Sequence, residues 1–134
     1  MSLLDDLAAK LVSDGVGVLE TSIFVSSRSI LPDGDGPYLS VYETGGVAPT
    51  RVQNASEAAT QRPTAQIVAR GASYTAARAL AQAAYDSLDG IFNTTLSGTQ
   101  YLSMKARQEP TDTGLDEKGR VRVTFNIDVE KQPS

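Results

Sequence analysis

The closing segment of the chain, residues 120–130, alternates between apolar and polar side chains at every step. The apolar positions are Val121, Val123, Phe125, Ile127 and Val129. Successive side chains of a β-strand point to opposite faces, so this alternation predicts a strand with one face in the core and the other in water. The turn-forming residues 116–119 just before it predict an antiparallel hairpin with the strand that precedes them.

Two helices are predicted from the spacing of apolar side chains. Residues 3–11 place their leucines on one helical stripe, and Gly15 or Gly17 is a suitable end for that helix. Ser73 is a suitable N-cap for a second helix, which Asp-Gly at residues 89–90 would end. The predicted stripe of the second helix comprises Tyr74, Ala77, Leu80, Ala81, Ala84, Tyr85 and Leu88. We expect Leu80 and Phe125 to pack between this helix and the closing strand.

Four further strands complete the predicted fold. They cover residues 23–25, 38–43, 64–70 and 99–108. The order is therefore α-β-β-β-α-β-β, which predicts an α+β domain: a mostly antiparallel sheet with both helices packed on one face. The chain has 134 residues, of which 40% are hydrophobic, and this is enough for one core. We expect residues 1–134 to form a single domain.

The residue types that the chain lacks exclude much of ordinary catalysis. It contains no cysteine and no histidine, which removes thiolate nucleophiles, disulfides, cysteine-based zinc sites and the usual general base near neutral pH. We therefore predict no catalytic residue, no metal site and no cofactor. The net charge of −4 disfavours extensive binding to nucleic acid. No apolar run is long enough to span a membrane, and we expect no signal peptide.

Three short motifs resemble chemical sites, and their surroundings argue against each of them. Asp-Thr-Gly at residues 112–114 matches the aspartic-protease signature, but polar residues surround it, which predicts a solvated turn. The acidic loop at residues 33–36 is followed by neither the glycine nor the glutamate that a calcium loop requires at its sixth and twelfth positions. Gly45-Gly46 is too short for a phosphate-binding loop and predicts a sharp backbone turn.

A long polar segment, residues 44–63, separates two of the predicted strands. Val47 and Val52 are its only large aliphatic residues, so it offers little to a core. Loops of this length inside a compact domain are uncommon and are usually functional or disordered. Arg51 and Arg62 can make charge-assisted hydrogen bonds to carboxylates of a neighbouring molecule. We therefore predict that the segment serves assembly and not folding.

Charged residues near this segment and on the last two strands form candidate contact surfaces. Lys105, Arg107, Arg120 and Arg122 fall on the predicted wet faces of those strands. Such a patch is either an ordinary solvated face, a subunit interface, or a lumen wall near passing DNA. The predicted interface residues are Thr44, Gly45, Gly46, Arg51, Arg62, Arg70, Asp116, Glu117, Arg120 and Arg122.

Taken together, these features resemble one family, the tail-terminator (tail-completion) or minor capsid proteins of long-tailed bacteriophages. The similarity covers most of the chain. It includes the amphipathic N-terminal helix, Glu-Thr-Gly-Gly at residues 43–46, and the strand that follows Pro63 and ends at Arg70. It also includes the alanine-rich helix after Ser73 and the Gly-Leu-Asp-Glu-Lys-Gly-Arg sequence at residues 114–120.

The resemblance implies a structural virion protein and not an enzyme. Proteins of this family form hexameric rings at the head-proximal end of the tail tube, where they stop tube polymerisation and join the tail to the head connector. The implied partners are further copies of the chain, the tail-tube protein and the connector protein. DNA would only pass through the lumen, and no membrane is involved. The implied location is the phage tail or neck, after assembly in the host cytoplasm.

Three other functions are compatible with the residues. A different neck protein, such as a connector stopper or adaptor, would be structural but would bind the portal side. A small ligand-binding domain is a second alternative, because mixed sheets with helices often carry pockets. A small enzyme is the third, although the missing histidine and cysteine argue against it.

Overall fold

The fold consists of two helices and seven strands. The computed structural model describes residues 3–17, 22–25, 37–51, 58–96, 98–115 and 119–132; within these, the side chains of residues 45–51 and 58–61 are not described. The helices are α1 (Leu3–Ser13) and α2 (Tyr74–Leu88). The strands are β1 (Ile23–Val25), β2 (Tyr38–Arg51), β3 (Ala58–Gly71), β4 (Ile91–Leu96), β5 (Thr99–Ala106), β6 (Thr111–Leu115) and β7 (Val121–Lys131).

All seven strands belong to one mixed, mostly antiparallel sheet in the order β1-β2-β3-β7-β5-β4. The pairing of β1 with β2 is parallel, and every other pairing is antiparallel. One edge of β7 pairs with β3. The opposite edge is shared, because β5 pairs with its second half and β6 pairs with its first half. The α+β class and the predicted order of the major elements are confirmed.

Both helices pack on one face of the sheet and close the core there. The inward side chains of β7 share one core with the buried alanines of α2, and small side chains let a helix approach a sheet closely. Phe125 is fully buried, and its ring meets the Tyr85 ring edge to face at 5.7 Å between centroids. Leu80 is partly buried against the same core, as predicted, whereas Tyr74 is 48% exposed and does not belong to the buried stripe.

The ends of α2 follow the predicted capping chemistry. The backbone N–H of Ala76 donates to the Ser73 hydroxyl at 3.2 Å, which satisfies one of the otherwise unpaired donors of the first turn. At the other end, the Asp89 N–H donates to the Tyr85 carbonyl at 2.8 Å. Gly90 then adopts a φ of +83°, which glycine reaches without steric cost.

Two strands, β4 and β6, were not predicted. β6 contains the Asp-Thr-Gly sequence at residues 112–114, so the prediction of a solvated turn there is wrong. All five residues of β6 are exposed, and a strand without a buried face carries no alternating signal in the sequence. It forms because β5 leaves the first half of β7 unpaired, and the backbone of β6 supplies the missing hydrogen bonds.

The prediction of a long polar loop at residues 44–63 is also wrong. The described parts of that segment continue β2 and β3 as a long antiparallel hairpin, paired as far as Arg51 and Ala58. Gly45-Gly46 therefore does not form a sharp turn. The two glycines lie in β2 at a bulge, where three steps from Glu43 to Gly46 oppose two steps from Ala65 to Pro63. A bulge tolerates Pro63, which has no N–H to donate to the ladder.

The outward side of β7 is not uniformly wet, because Thr124 is buried. Its hydroxyl lies 3.0 Å from that of Thr113 on β6, and one of the two donates to the other. We expect Thr124→Ala to lower the free energy of unfolding by about 1 kcal/mol, the usual loss for one such hydrogen bond. Chemical denaturation measures it. A double-mutant cycle with Thr113→Ala should give a non-additive term, and strictly additive losses would contradict the contact.

Candidate assembly interface

The outer face is the side of the sheet opposite the helices. Cross-strand pairs define its layout: Tyr42 lies opposite Gln66, which lies opposite Asn126. Two residues farther along β7, Asp128 lies between Thr64 of β3 and Lys105 of β5. Side chains from four strands that are distant in sequence therefore meet on this face.

An open groove of about 640 Å³ crosses the outer face where the β2–β3 hairpin leaves the sheet. Its lining is Thr44, Arg62, Pro63, Thr64, Ser103, Lys105, Arg107, Asn126, Asp128, Val129 and Glu130. The Thr44 and Thr64 hydroxyls are 2.6 Å apart and join the two hairpin strands at the groove wall. The groove is open, is lined mainly by polar residue types and is built from backbone-paired strands, which suits contact with a protein surface better than enclosure of a small apolar ligand.

The charges of the groove are mixed. A nitrogen of Arg107 lies 2.6 Å from an oxygen of Asp128, and both side chains are about half exposed. The hydrogen bond and the charge of that carboxylate raise the pKa of the Arg107 guanidinium above its usual value. The opposite charges of Arg107 and Asp128 cancel, and because the pair is exposed it adds little to the stability of the fold. Arg62 and Lys105 are exposed in the same groove and provide its positive charge, with Glu130 as the remaining acid.

Part of the predicted interface set falls in or beside this groove. Thr44 and Arg62 line it, and the backbones of Gly45 and Gly46 form the adjoining bulge. Arg51 is the last residue of β2, at the far end of the paired hairpin. Asp116 and Glu117 lie outside the described residues.

The other three predicted arginines lie away from the groove. Arg122 is exposed and pairs across the strands with Arg70, which is only 7% exposed. The Arg70 guanidinium lies 5.3 Å from the centroid of the Tyr38 ring, a cation–π distance. Arg120 is also 7% exposed. Burial therefore leaves little of Arg70 and Arg120 for a neighbouring molecule to contact.

Sequence reasoning missed one large side chain on this face. Phe92 of β4 is 78% exposed, and it lies opposite Ser103, a residue of the groove. Aromatic side chains are enriched in protein–protein interfaces, so an exposed phenylalanine next to the groove is typical of a contact surface. The sequence did not predict Phe92 as an exposed residue, because β4 is an edge strand with only partial burial and its residues do not alternate clearly between buried and exposed.

Within the described residues, no group of three or more acidic side chains is arranged so that it could hold a metal ion. Among the same residues, no helix is both long and apolar enough to cross a membrane. The Asp-Thr-Gly carboxylate of Asp112 is exposed and accepts a hydrogen bond from the Gly114 N–H at 2.8 Å, which is a local contact at the bulge of β6.

Comparison with known proteins identifies the family. A family model described as bacteriophage tail terminator protein matches residues 10–133. A chain from the virion of a native gene transfer agent particle has a similar fold, with a TM-score of 0.73 and 16% identity over 98% of this chain and 96% of that chain. A second solved structure matches with a TM-score of 0.60 and 18% identity, over 100% and 98% of the two chains. No curated protein is significantly similar in sequence. Because the family model covers nearly the whole chain, this protein belongs to the bacteriophage tail terminator proteins.

Proposed function

We propose that this protein forms a ring, most simply a hexamer, at the head-proximal end of a phage tail tube. There it stops polymerisation of the tube and presents a surface to the head connector, while DNA passes through its lumen. It is assembled in the cytoplasm of the host bacterium and acts as one folded domain without catalysis. The observation that carries the proposal is the family match over residues 10–133.

The β2–β3 hairpin supports an assembly role. Pairing of β3 with β7 stops at Gln61 and Lys131, whereas pairing of β3 with β2 continues to Ala58 and Arg51. In the described part of the chain, the end of the hairpin is therefore a two-stranded ribbon. Isolated two-stranded ribbons are marginally stable in water, so a neighbouring protein would stabilise this one by packing against it.

Under this proposal, only some of the predicted interface residues are candidates for contact with a neighbouring molecule. Thr44, Gly45, Gly46, Arg51 and Arg62 belong to the hairpin or its base, and Arg122 is exposed on the same face. Asp116 and Glu117 remain candidates from the sequence. Arg70 and Arg120 are more suited to supporting the sheet from within the subunit, because both are buried.

The direct test is to mix the purified protein with its tail-tube protein. Electron microscopy should show tubes capped at one end and limited in length, and mass measurement of the caps should give six copies. Tubes that grow equally long with and without the protein would contradict tail termination. Binding to the connector without binding to the tube would instead favour a stopper or adaptor.

Shortening the hairpin should abolish assembly while the subunit stays folded. The design replaces residues 48–61 with Asn-Gly, so that Val47 and Arg62, which are paired, flank a two-residue turn. The entropy of closing a loop changes slowly with its length, and the replaced segment contains Val52 as its only large aliphatic residue. The isolated subunit should therefore melt within a few degrees of the unmodified protein. In the mixed assay we expect lost rings and overlong tubes.

Two measurements on the shortened variant separate assembly from folding. Circular dichroism and thermal melting report on the isolated subunit, and tube length reports on capping. A variant that melts far earlier yet still caps in its folded fraction would assign residues 48–61 to folding. Capping would then have to use another surface, such as the segment at residues 109–119.

A further inference from the structure

The helix layer carries an acidic surface, which we call the acidic end and define as Asp86, Asp89 and Glu109. Asp86 and Asp89 are three residues apart at the end of α2, and Glu109 follows three residues after Ala106, whose N–H donates to Asp89. The negative charges of all three raise the pKa of the Tyr85 hydroxyl, with Asp89 the largest cause. Asp86 and Glu109 are exposed. Asp89 is partly buried and accepts a hydrogen bond from the Ala106 N–H at 2.8 Å.

The surface of α2 leading to this acidic end carries small side chains. Ala79 and Ala83 are exposed, and with Asp86 they follow helical spacings of four and three residues, which places all three on one face. Alanine side chains allow another element to approach the helix closely. The stripe therefore offers small apolar side chains at one end and a carboxylate at the other.

The outer face of the sheet has the complementary arrangement. Phe92 is exposed beside the groove, and the exposed cations Lys105 and Arg62 lie farther across it. The Phe92 and Lys105 Cα atoms are one strand and two residues apart, about 8 Å. On α2, Ala79 and Asp86 are about 10 Å apart along the axis. Each surface thus has an apolar contact and a charged contact at a similar distance from each other. The charged contact is a cation on the sheet and a carboxylate on α2.

We infer that the outer-face groove of one subunit binds the acidic end of α2 in a second copy of the chain. Phe92 packs on Ala79 and Ala83 of the neighbour, while Arg62 and Lys105 pair with Asp86 and Glu109. The inference rests on the proposed ring. The sheet and helix layers are opposite sides of a two-layer domain, and a head-to-tail ring must join two different surfaces of each subunit.

Charge reversal tests this contact. One variant carries Arg62→Glu and Lys105→Glu, and the other carries Asp86→Lys and Glu109→Lys. All four side chains are exposed, so both variants should keep the melting temperature of the original subunit. In the assay with tail-tube protein, each variant alone should lose rings at least tenfold, because every contact then joins like charges.

Mixing the two variants should restore the rings. When the two variants alternate around the ring, the acidic groove of the first variant meets the basic helix end of the second. The unchanged groove of the second variant meets the unchanged helix end of the first. Every contact then joins opposite charges, so a ring with an even number of subunits can close. A chain carrying all four substitutions should also assemble. Rings from either variant alone, or no recovery in both the mixture and the fourfold variant, would overturn this docking while unmodified rings uphold the proposed function. Intact rings that no longer cap tubes would assign the groove to the tube protein and would overturn it too. If the unmodified protein forms no ring, both proposals fail.

Discussion

Replacing Phe125 with alanine should lower the free energy of unfolding by about 3–5 kcal/mol, the usual loss for a buried aromatic side chain. The ring is fully buried between β7 and α2 and loses both its packing and its edge-to-face contact with Tyr85. Domains of this size typically have only about 5–15 kcal/mol of stability in total. Urea denaturation at neutral pH measures the difference.

Two neighbours in the same strand give matched controls for Phe125. Arg122 points out from the sheet and is exposed, so Arg122→Ala should change the stability of the isolated subunit by less than about 0.5 kcal/mol. Thr124→Ala should fall between the two values, because its buried hydroxyl contacts Thr113. A loss at Arg122 as large as that at Phe125 would contradict the placement of the core on the helix side.

Removing the hydroxyl of Tyr101 should have the second-largest effect, about 3 kcal/mol, because it leaves a buried carboxylate without its donor. Tyr101 and Asp6 are both fully buried, and the phenol donates a hydrogen bond to a carboxylate oxygen of Asp6. This contact joins α1 to β5. The Lys131 ammonium lies 6.0 Å from the centroid of the same ring. Chemical denaturation of Tyr101→Phe measures the loss.

A double variant distinguishes a lost hydrogen bond from lost packing. Replacing both partners by apolar groups removes the need for the bond, so Asp6→Leu with Tyr101→Phe should recover much of the stability that Tyr101→Phe loses. If the double variant is as unstable as the sum of the single variants, the hydroxyl and the carboxylate do not interact. The cycle therefore tests the bond itself.

The same residue predicts sensitivity to alkali. Burial, followed by the hydrogen bond to Asp6 and its negative charge, raises the pKa of Tyr101 well above its usual value. Tyr101 makes its full contribution to the free energy of unfolding below about pH 10, the pKa of an unfolded tyrosine. Above that pH the contribution falls, because Tyr101 loses its proton in the unfolded chain but keeps it in the folded one. Stability should decline by up to about 1.4 kcal/mol per pH unit from this group. Tyr85 contributes in the same direction, so the test is the difference between the original protein and Tyr101→Phe, whose decline should be shallower.

The sequence alone determined the elements that have one buried face. The alternation of β7 predicted its inward side chains, Phe125 among them, and the helical stripe with Ser73 predicted α2 and its cap. Both signals exist because burial on one face forces apolar residues to recur with the period of the backbone. The resemblance of scattered motifs also identified the family correctly.

Only the tertiary structure decided the remaining elements and the candidate interface. β6 has no buried face, and the outer part of the β2–β3 hairpin, residues 44–51 and 58–63, has no apolar alternation, so backbone pairing with neighbouring strands makes these segments strands. The burial of Asp6 depends on a partner, Tyr101, that is 95 residues distant in the chain. The groove and the exposed Phe92 beside it likewise depend on strand order. Local sequence records the period of each element, whereas the side chains that meet across a sheet are determined by which strands become neighbours.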